Sequence, residues 1–92
     1  MAYTLPVPSD WRSQEWKVKI FDDERNEEPH VTIIRKTQMW RLGLRTGEFL
    51  DDGPPPRDVP KHFVGWIRSR LAELRREWDG MYPENPVSSR EE

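Results

Sequence analysis

The chain has 92 residues, of which 34% are hydrophobic and 35% charged, and its formal net charge is −2. A domain of this length buries about 60–65% of the surface that its unfolded form exposes, so a deep internal substrate cavity is not expected. The chain has no cysteine, which excludes disulfides and thiolate metal sites. It has no long apolar run and no signal-peptide pattern, which predicts a cytoplasmic protein.

The first half of the chain is predicted to form β-strands. Residues 1–15 are predicted to form an extended arm or edge strand, because Pro6 and Pro8 push the preceding residues towards extended backbone. The segment WKVKI then alternates, which is typical of a half-buried strand, and its apolar face holds Trp16, Val18 and Ile20. The acidic segment DDERNEEP is predicted to be a solvated loop.

Two more strands are predicted after this loop. HVTII is rich in β-branched residues, and MWRLGLR puts Trp40, Leu42 and Leu44 on one face. The polar segment RKTQ between them is a predicted hairpin connection. Gly47 can take the positive φ of a tight turn, and a short last strand from Glu48 to Leu50 is expected to follow. The prediction is an antiparallel meander of three or four strands.

The second half of the chain is predicted to form a crossover segment followed by a helix. DDGPPPRDVP predicts a stiff extended crossover, because successive prolines fix φ. A single long helix from about Val59 to Asp79 is then predicted, with Asp58 as N-cap and Gly80 after its end. Apolar residues recur at helical spacing along it and share one face: Phe63, Val64, Ile67, Leu71, Leu74 and Trp78.

These elements predict one α+β domain over residues 16–80, in which a single long C-terminal helix covers one face of the sheet. Residues 81–92 are predicted to form a polar, flexible tail, because the segment is broken by prolines. The other face of the sheet is expected to stay partly open, which invites a partner or a second copy of the chain.

Several short motifs occur in a specific order: Pro29-His30 before a strand, Thr46-Gly47-Glu48 at a turn, a proline run at 54–56, and Trp66 and Trp78 in the predicted helix. Together they resemble a domain-of-unknown-function family of short bacterial proteins, and the resemblance spans about residues 17–80. Many members carry a second histidine where this chain has Thr32. Members are often encoded beside another small protein in pairs that look like toxin–antitoxin modules, so the resemblance implies that context, and it implies no catalytic residues.

His30 is the candidate for chemistry. The acidic residues near it in sequence are Asp22, Asp23, Glu27 and Glu28, and with them it could complete a divalent-metal site or act as a general base. The spacing matches no metal motif. A lone histidine after an acidic loop is more often a strand-entry residue that is hydrogen-bonded to backbone, and we prefer that interpretation. No metal, cofactor or catalytic residue is assigned, and His30 remains the only catalytic candidate.

A basic binding surface is predicted on the outward side of the hairpin. It consists of Arg35, Lys36, Arg41 and Arg45, and Trp66 is added as a half-buried interface anchor. Such a surface could hold RNA phosphates or an acidic strip of a protein, or it could serve only for solubility.

The predicted function is a small cytoplasmic protein–protein interaction module, as one component of a bacterial toxin–antitoxin-like or regulatory pair. Self-association is an equivalent expectation. The alternative is a small RNA-binding or RNA-cleaving toxin that uses the basic sheet face. The net negative charge and the lack of a stacking aromatic between the arginines favour a protein partner.

Overall fold

The protein has an α+β fold built on a four-stranded antiparallel sheet. The computed structural model describes residues 3–22, 27–50 and 56–87. The strands are hydrogen-bonded in chain order and comprise β1 (Tyr3–Thr4), β2 (Trp16–Ile20), β3 (His30–Arg35) and β4 (Gln38–Gly43). The helices are α1 (Ser9–Arg12), α2 (Lys61–Arg68) and α3 (Leu71–Met81), and a 3₁₀ turn spans Pro56–Asp58. The predicted antiparallel meander is confirmed.

One face of the sheet is covered by the helices. Val18 pairs with Ile33 and Ile33 pairs with Trp40, which places these three buried residues in one cross-strand row. The ring of Phe63 on α2 lies 5.2 Å from that of Trp16, at the start of β2. Apolar alternation in the strands and apolar spacing in the helices therefore meet in a single core.

The β3–β4 hairpin closes through a two-residue turn. Arg35 pairs with Gln38, so Lys36 and Thr37 form the connection, as the segment RKTQ predicted. Lys36 has φ of 55°, in the left-handed region that such tight turns use. A two-residue loop also fixes which residues of β3 and β4 share a face of the sheet.

The prediction of a single long C-terminal helix is not confirmed, because α2 and α3 are separate helices. The amide of Ser69 donates to the carbonyl oxygens of Gly65 and Trp66, at 3.0 and 3.1 Å. The amide of Arg70 donates to the oxygen of Ile67, 2.9 Å away. Bonds to the residue three positions back tighten the last turn and end α2.

The helix ends also differ from the predicted caps. Asp58 belongs to the 3₁₀ turn, and Pro60 is the residue before α2, with φ of −56° and ψ of 138°. Pro60 fits this position because its extended backbone precedes a helix without needing an amide donor. Gly80 lies inside α3, which ends at Met81.

The turn after β4 agrees with one expectation and departs from another. Gly47 has φ of 76°, as predicted for its tight turn. The expected strand from Glu48 to Leu50 is reduced to an isolated bridge between Leu42 and Phe49. Of the predicted crossover, residues 51–55 lie outside the described part of the chain. No helix within the described residues combines the length and hydropathy needed to cross a membrane.

Both terminal segments contribute to the core. β1 forms the edge strand, but α1 adds a helical turn in a segment predicted to be extended, and its Trp11 packs 5.0 Å from Phe63. At the other end Tyr82 and Val87 are buried, and the Val87 amide donates to the Asp79 carboxylate at 2.7 Å. Tyr82 and Val87, which were predicted to belong to the polar tail, are therefore part of the core. Residues 88–92 lie outside the described part of the chain.

Candidate functional site

The side of the sheet opposite the helices carries two cross-strand rows. One row joins Lys17, Ile34 and Met39. The next row joins Lys19, Thr32 and Arg41. Because side chains alternate along a strand, these rows lie on the other side from Val18, Ile33 and Trp40. We call this surface the open sheet face, and it consists of Lys17, Lys19, Thr32, Ile34, Met39 and Arg41.

The centre of the open sheet face is apolar. Met39 is 55% exposed and is the most exposed large hydrophobic residue in the described part of the chain. Its cross-strand neighbour Ile34 is half-buried. Thr32 is only 4% exposed and lies between Lys19 and Arg41 in its cross-strand row. The result is a small apolar patch with cationic side chains around it.

The cations of this face differ in their surroundings. The Arg41 Nη1 atom lies 2.9 Å from Oε1 of Glu27, and both side chains remain partly exposed. Exposed pairs of this kind contribute about 0–1 kcal/mol, so a partner carboxylate could replace Glu27 at little cost. Lys17 and Lys19 form no ion pair with a described residue. The face can therefore accept negative charge.

The predicted basic surface does not form as one unit. Arg35 pairs across the sheet with Trp16 and places its guanidinium 5.1 Å from that ring, while its Nε donates to the carbonyl oxygen of Gln14. It therefore lies on the side of the covered face. Lys36 sits in the hairpin turn. Of the four predicted cations, only Arg41 belongs to the open sheet face.

Arg45 binds the backbone of the C-terminal segment. It lies two positions beyond Gly43, the last residue of β4, and its Nε donates to the carbonyl oxygen of Val87 at 2.8 Å. Its Nη2 donates to the carbonyl oxygen of Pro86 at 3.3 Å, and Nη1 lies 3.8 Å from a Glu28 carboxylate oxygen. The half-buried guanidinium therefore anchors backbone in this structure.

Trp66 lies on α2, away from the open sheet face. It is half-buried, as expected, and its ring is stacked on that of Phe63 with the centroids 6.0 Å apart. The guanidinium of Arg70 lies 5.6 Å from the Trp66 ring. A partly buried tryptophan between a core ring and a cation is accounted for by packing.

His30 is fully buried at the start of β3. Its Nδ1 lies 2.7 Å from the carbonyl oxygen of Glu28, so this nitrogen carries a proton and donates it. Its ring lies 5.7 Å from Trp78, and Nε2 is 3.9 Å from a Glu27 carboxylate oxygen. This is the backbone-bonded strand-entry geometry. In the described ranges no group of three or more potential metal-ligating side chains occurs, and Asp23 lies outside them.

Sequence reasoning did not assign five residues of the open sheet face to the site: Lys17, Lys19, Thr32, Ile34 and Met39. The signal was present in WKVKI, where both lysines alternate with buried residues, but it was not joined to the hairpin. Comparison of the chain with family models, with curated proteins and with solved structures gives no match.

Proposed function

We propose that this protein is a protein–protein interaction module that binds its partner through the open sheet face. The observation that carries the proposal is the exposed Met39 beside the half-buried Ile34, framed by Lys17, Lys19 and Arg41. Interfaces between proteins commonly combine an apolar centre with a polar rim, and methionine and arginine are enriched in them. A face of only six residues suits a contact below the standard interface of about 800 Å² per partner.

The charge of the face indicates the chemistry of the partner. Three cations surround the apolar centre, although the whole chain has a net charge of −2. A partner surface with acidic side chains around an apolar residue would be complementary to it. The resemblance to paired bacterial proteins supports a partner encoded beside this chain, and this part of the proposal rests on the resemblance alone.

An RNA partner is less well supported by the same face. Its six residues include no aromatic ring on which a base could stack. Three cations, one of them beside Glu27, would neutralise few phosphates, and non-specific affinity depends on their number.

The proposal is tested by co-expressing the chain with the product of the neighbouring gene. Met39→Asp removes the apolar centre and adds a charge that repels an acidic partner. Ala72→Asp adds the same charge at an exposed position on α3 and is the matched control. We expect Met39→Asp to weaken binding at least about tenfold in calorimetry, which is 1.4 kcal/mol, and Ala72→Asp to leave it unchanged.

Equal binding by both variants would contradict the open sheet face as the docking surface. The RNA alternative has its own measurement, a fluorescence-anisotropy titration of labelled hairpin RNA at physiological salt. Submicromolar binding that is lost when Lys17, Lys19 and Arg41 become alanine would overturn the protein-binding proposal.

A further inference from the structure

A second surface lies between the 3₁₀ turn and α2, on elements that do not form the open sheet face. It is an open groove of about 410 Å³, which we call the α2 groove. Its lining residues are Phe49, Arg57, Val59, Lys61, Val64 and Arg68. Three of the six are cations and three are apolar, and none is acidic.

The helix sequence builds one wall of this groove. Lys61, Val64 and Arg68 are separated by three and four positions, so they share one face of α2. Arg57 comes from the 3₁₀ turn, and Phe49 comes from the bridge beside β4. Three separate parts of the chain thus bring positive charge and apolar surface together.

The floor of the groove is apolar and its rim is cationic. Val59 and Val64 are buried and Phe49 is half-buried, whereas Arg57 and Lys61 are exposed. Arg68 donates its Nε to the carbonyl oxygen of Gly47 at 2.8 Å, which fixes the guanidinium. Its two Nη atoms can still donate to a carboxylate, because arginine offers five donors in a planar fork.

We propose that the α2 groove binds an acidic segment of another protein, with one large apolar side chain seated on the floor and carboxylates on the rim. Charge complementarity supports this occupant, since three cations converge and no carboxylate occurs among the described lining residues, in a chain of negative net charge. Two valines and a phenylalanine suit an apolar side chain. A phosphate backbone would find cations on this rim but would leave the apolar floor of Val59, Val64 and Phe49 without a partner.

The probe is a fluorescein-labelled peptide with the sequence Gly-Glu-Glu-Leu-Phe-Glu-Glu-Gly, titrated against the whole chain by anisotropy. The test variant is Arg57→Glu/Lys61→Glu. It should fold, because both side chains are exposed and a carboxylate in the first turn of α2 suits the helix dipole. We expect the variant to bind the peptide at least about tenfold more weakly, and salt to weaken wild-type binding because screening shortens the reach of exposed charges.

The matched control is Lys17→Glu/Lys19→Glu on the open sheet face, which makes the same change in net charge. It should bind the peptide within about twofold of wild type, and amide NMR shifts caused by the peptide should centre on Val59 and Val64. No binding by the wild type, or equal loss in both double variants, would overturn the α2 groove as a site. Loss only in the control would assign the peptide to the open sheet face.

The groove and the proposed function fail separately. Arg57→Glu/Lys61→Glu changes the α2 groove, whereas Met39→Asp changes the open sheet face. If only Met39→Asp weakens binding of the neighbouring gene's product, the proposed function stands whatever the result for the groove. Tighter binding of labelled oligouridine than of the peptide, lost in Arg57→Glu/Lys61→Glu, would overturn the protein ligand in favour of a nucleic acid.

Discussion

The two faces of the sheet place opposite demands on neighbouring residues of the same strand. On β4, Trp40 is buried in the core, whereas Met39, one position earlier, is 55% exposed. On β2, Val18 is fully buried between two lysines. On β2 and β4 alternation therefore separates stability from binding at the level of single residues, whereas on β3 Thr32 is buried although it lies on the open sheet face. A substitution on the covered face should destabilise the protein, and one at an exposed position of the open sheet face should change mainly what it binds.

The covered face is also fixed by side chains that bind backbone at the end of the sheet. Arg75 donates its Nε to the carbonyl oxygen of Leu44, 2.7 Å away. The hydroxyl of Tyr82 donates to the carbonyl oxygen of Phe21. These bonds attach α3 and the segment after it to the ends of β2 and β4, where the ladder no longer supplies partners. Substitutions that detach α3 should therefore lower the free energy of unfolding strongly.

Trp78→Ala is expected to have the largest effect on stability. The side chain is fully buried, its ring lies 4.3 Å from that of Tyr82, and its Nε1 donates to the carbonyl oxygen of Asn85. Truncation should lower the free energy of unfolding by about 3–5 kcal/mol, measured by urea denaturation. Trp66→Ala is the control, since Trp66 is half-buried and should cost less. A loss below about 1 kcal/mol for Trp78→Ala would mean that α3 does not dock as described.

The strands could be predicted because burial imposes a period of two on them. The helix break could not, because the apolar residues Ile67, Leu71 and Leu74 keep helical spacing across it. What ends α2 is a set of local bonds, including the Ser69 hydroxyl to the carbonyl oxygen of Trp66 at 2.5 Å. A serine within a helical repeat does not indicate that its hydroxyl will bind a backbone carbonyl and end the helix. Periodicity alone therefore predicted one helix.

The candidate site was predictable only in part, because the hairpin turn sets which residues share a face. With two residues in the turn, Arg35 pairs with Gln38 and joins the covered side, while Arg41 joins the open side. Arg45 lies beyond Gly43, where β4 ends, so strand alternation no longer decides its direction. The register across all three strands was needed to bring Lys17 and Met39 together.

His30→Ala should have the next largest effect, because His30 belongs to the buried end of β3. The substitution removes the Nδ1 donor to the Glu28 carbonyl and the packing against Trp78. We expect a loss of about 1–3 kcal/mol in urea denaturation. His62→Ala is the matched control at an exposed position of α2 and should stay within about 0.5 kcal/mol. Similar values for the two variants would contradict the buried position of His30.

Tyr3 gives the covered face a dependence on alkaline pH. Burial raises the pKa of Tyr3 to about 12, and its hydrogen bond to the Glu73 carboxylate, 2.6 Å long, acts in the same direction. A raised pKa favours the protonated phenol in the folded state. The contribution of Tyr3 is therefore complete below pH 10, the usual pKa of tyrosine, and is lost as the pH rises towards 12.

The variant that tests this is Tyr3→Phe, with urea denaturation at pH 9 and pH 11 as the measurement. The wild type should lose more stability between these values than the variant does, because the variant has no phenol to ionise. An equal loss in both proteins would contradict a raised pKa of Tyr3 in the folded state.

The smallest effect on stability is expected from Met39→Thr on the open sheet face. Threonine is favoured in strands, and a side chain that is 55% exposed makes few core contacts, so the free energy of unfolding should change by less than about 0.5 kcal/mol. The neighbouring variant Trp40→Thr removes a buried ring that lies 5.7 Å from Trp16 and should cost about 3–5 kcal/mol. Urea denaturation of the pair measures the contrast between the two faces directly. If Met39→Thr cost more than about 1.5 kcal/mol, its side chain would have to be buried in solution, and the open sheet face could not be the surface that the partner finds.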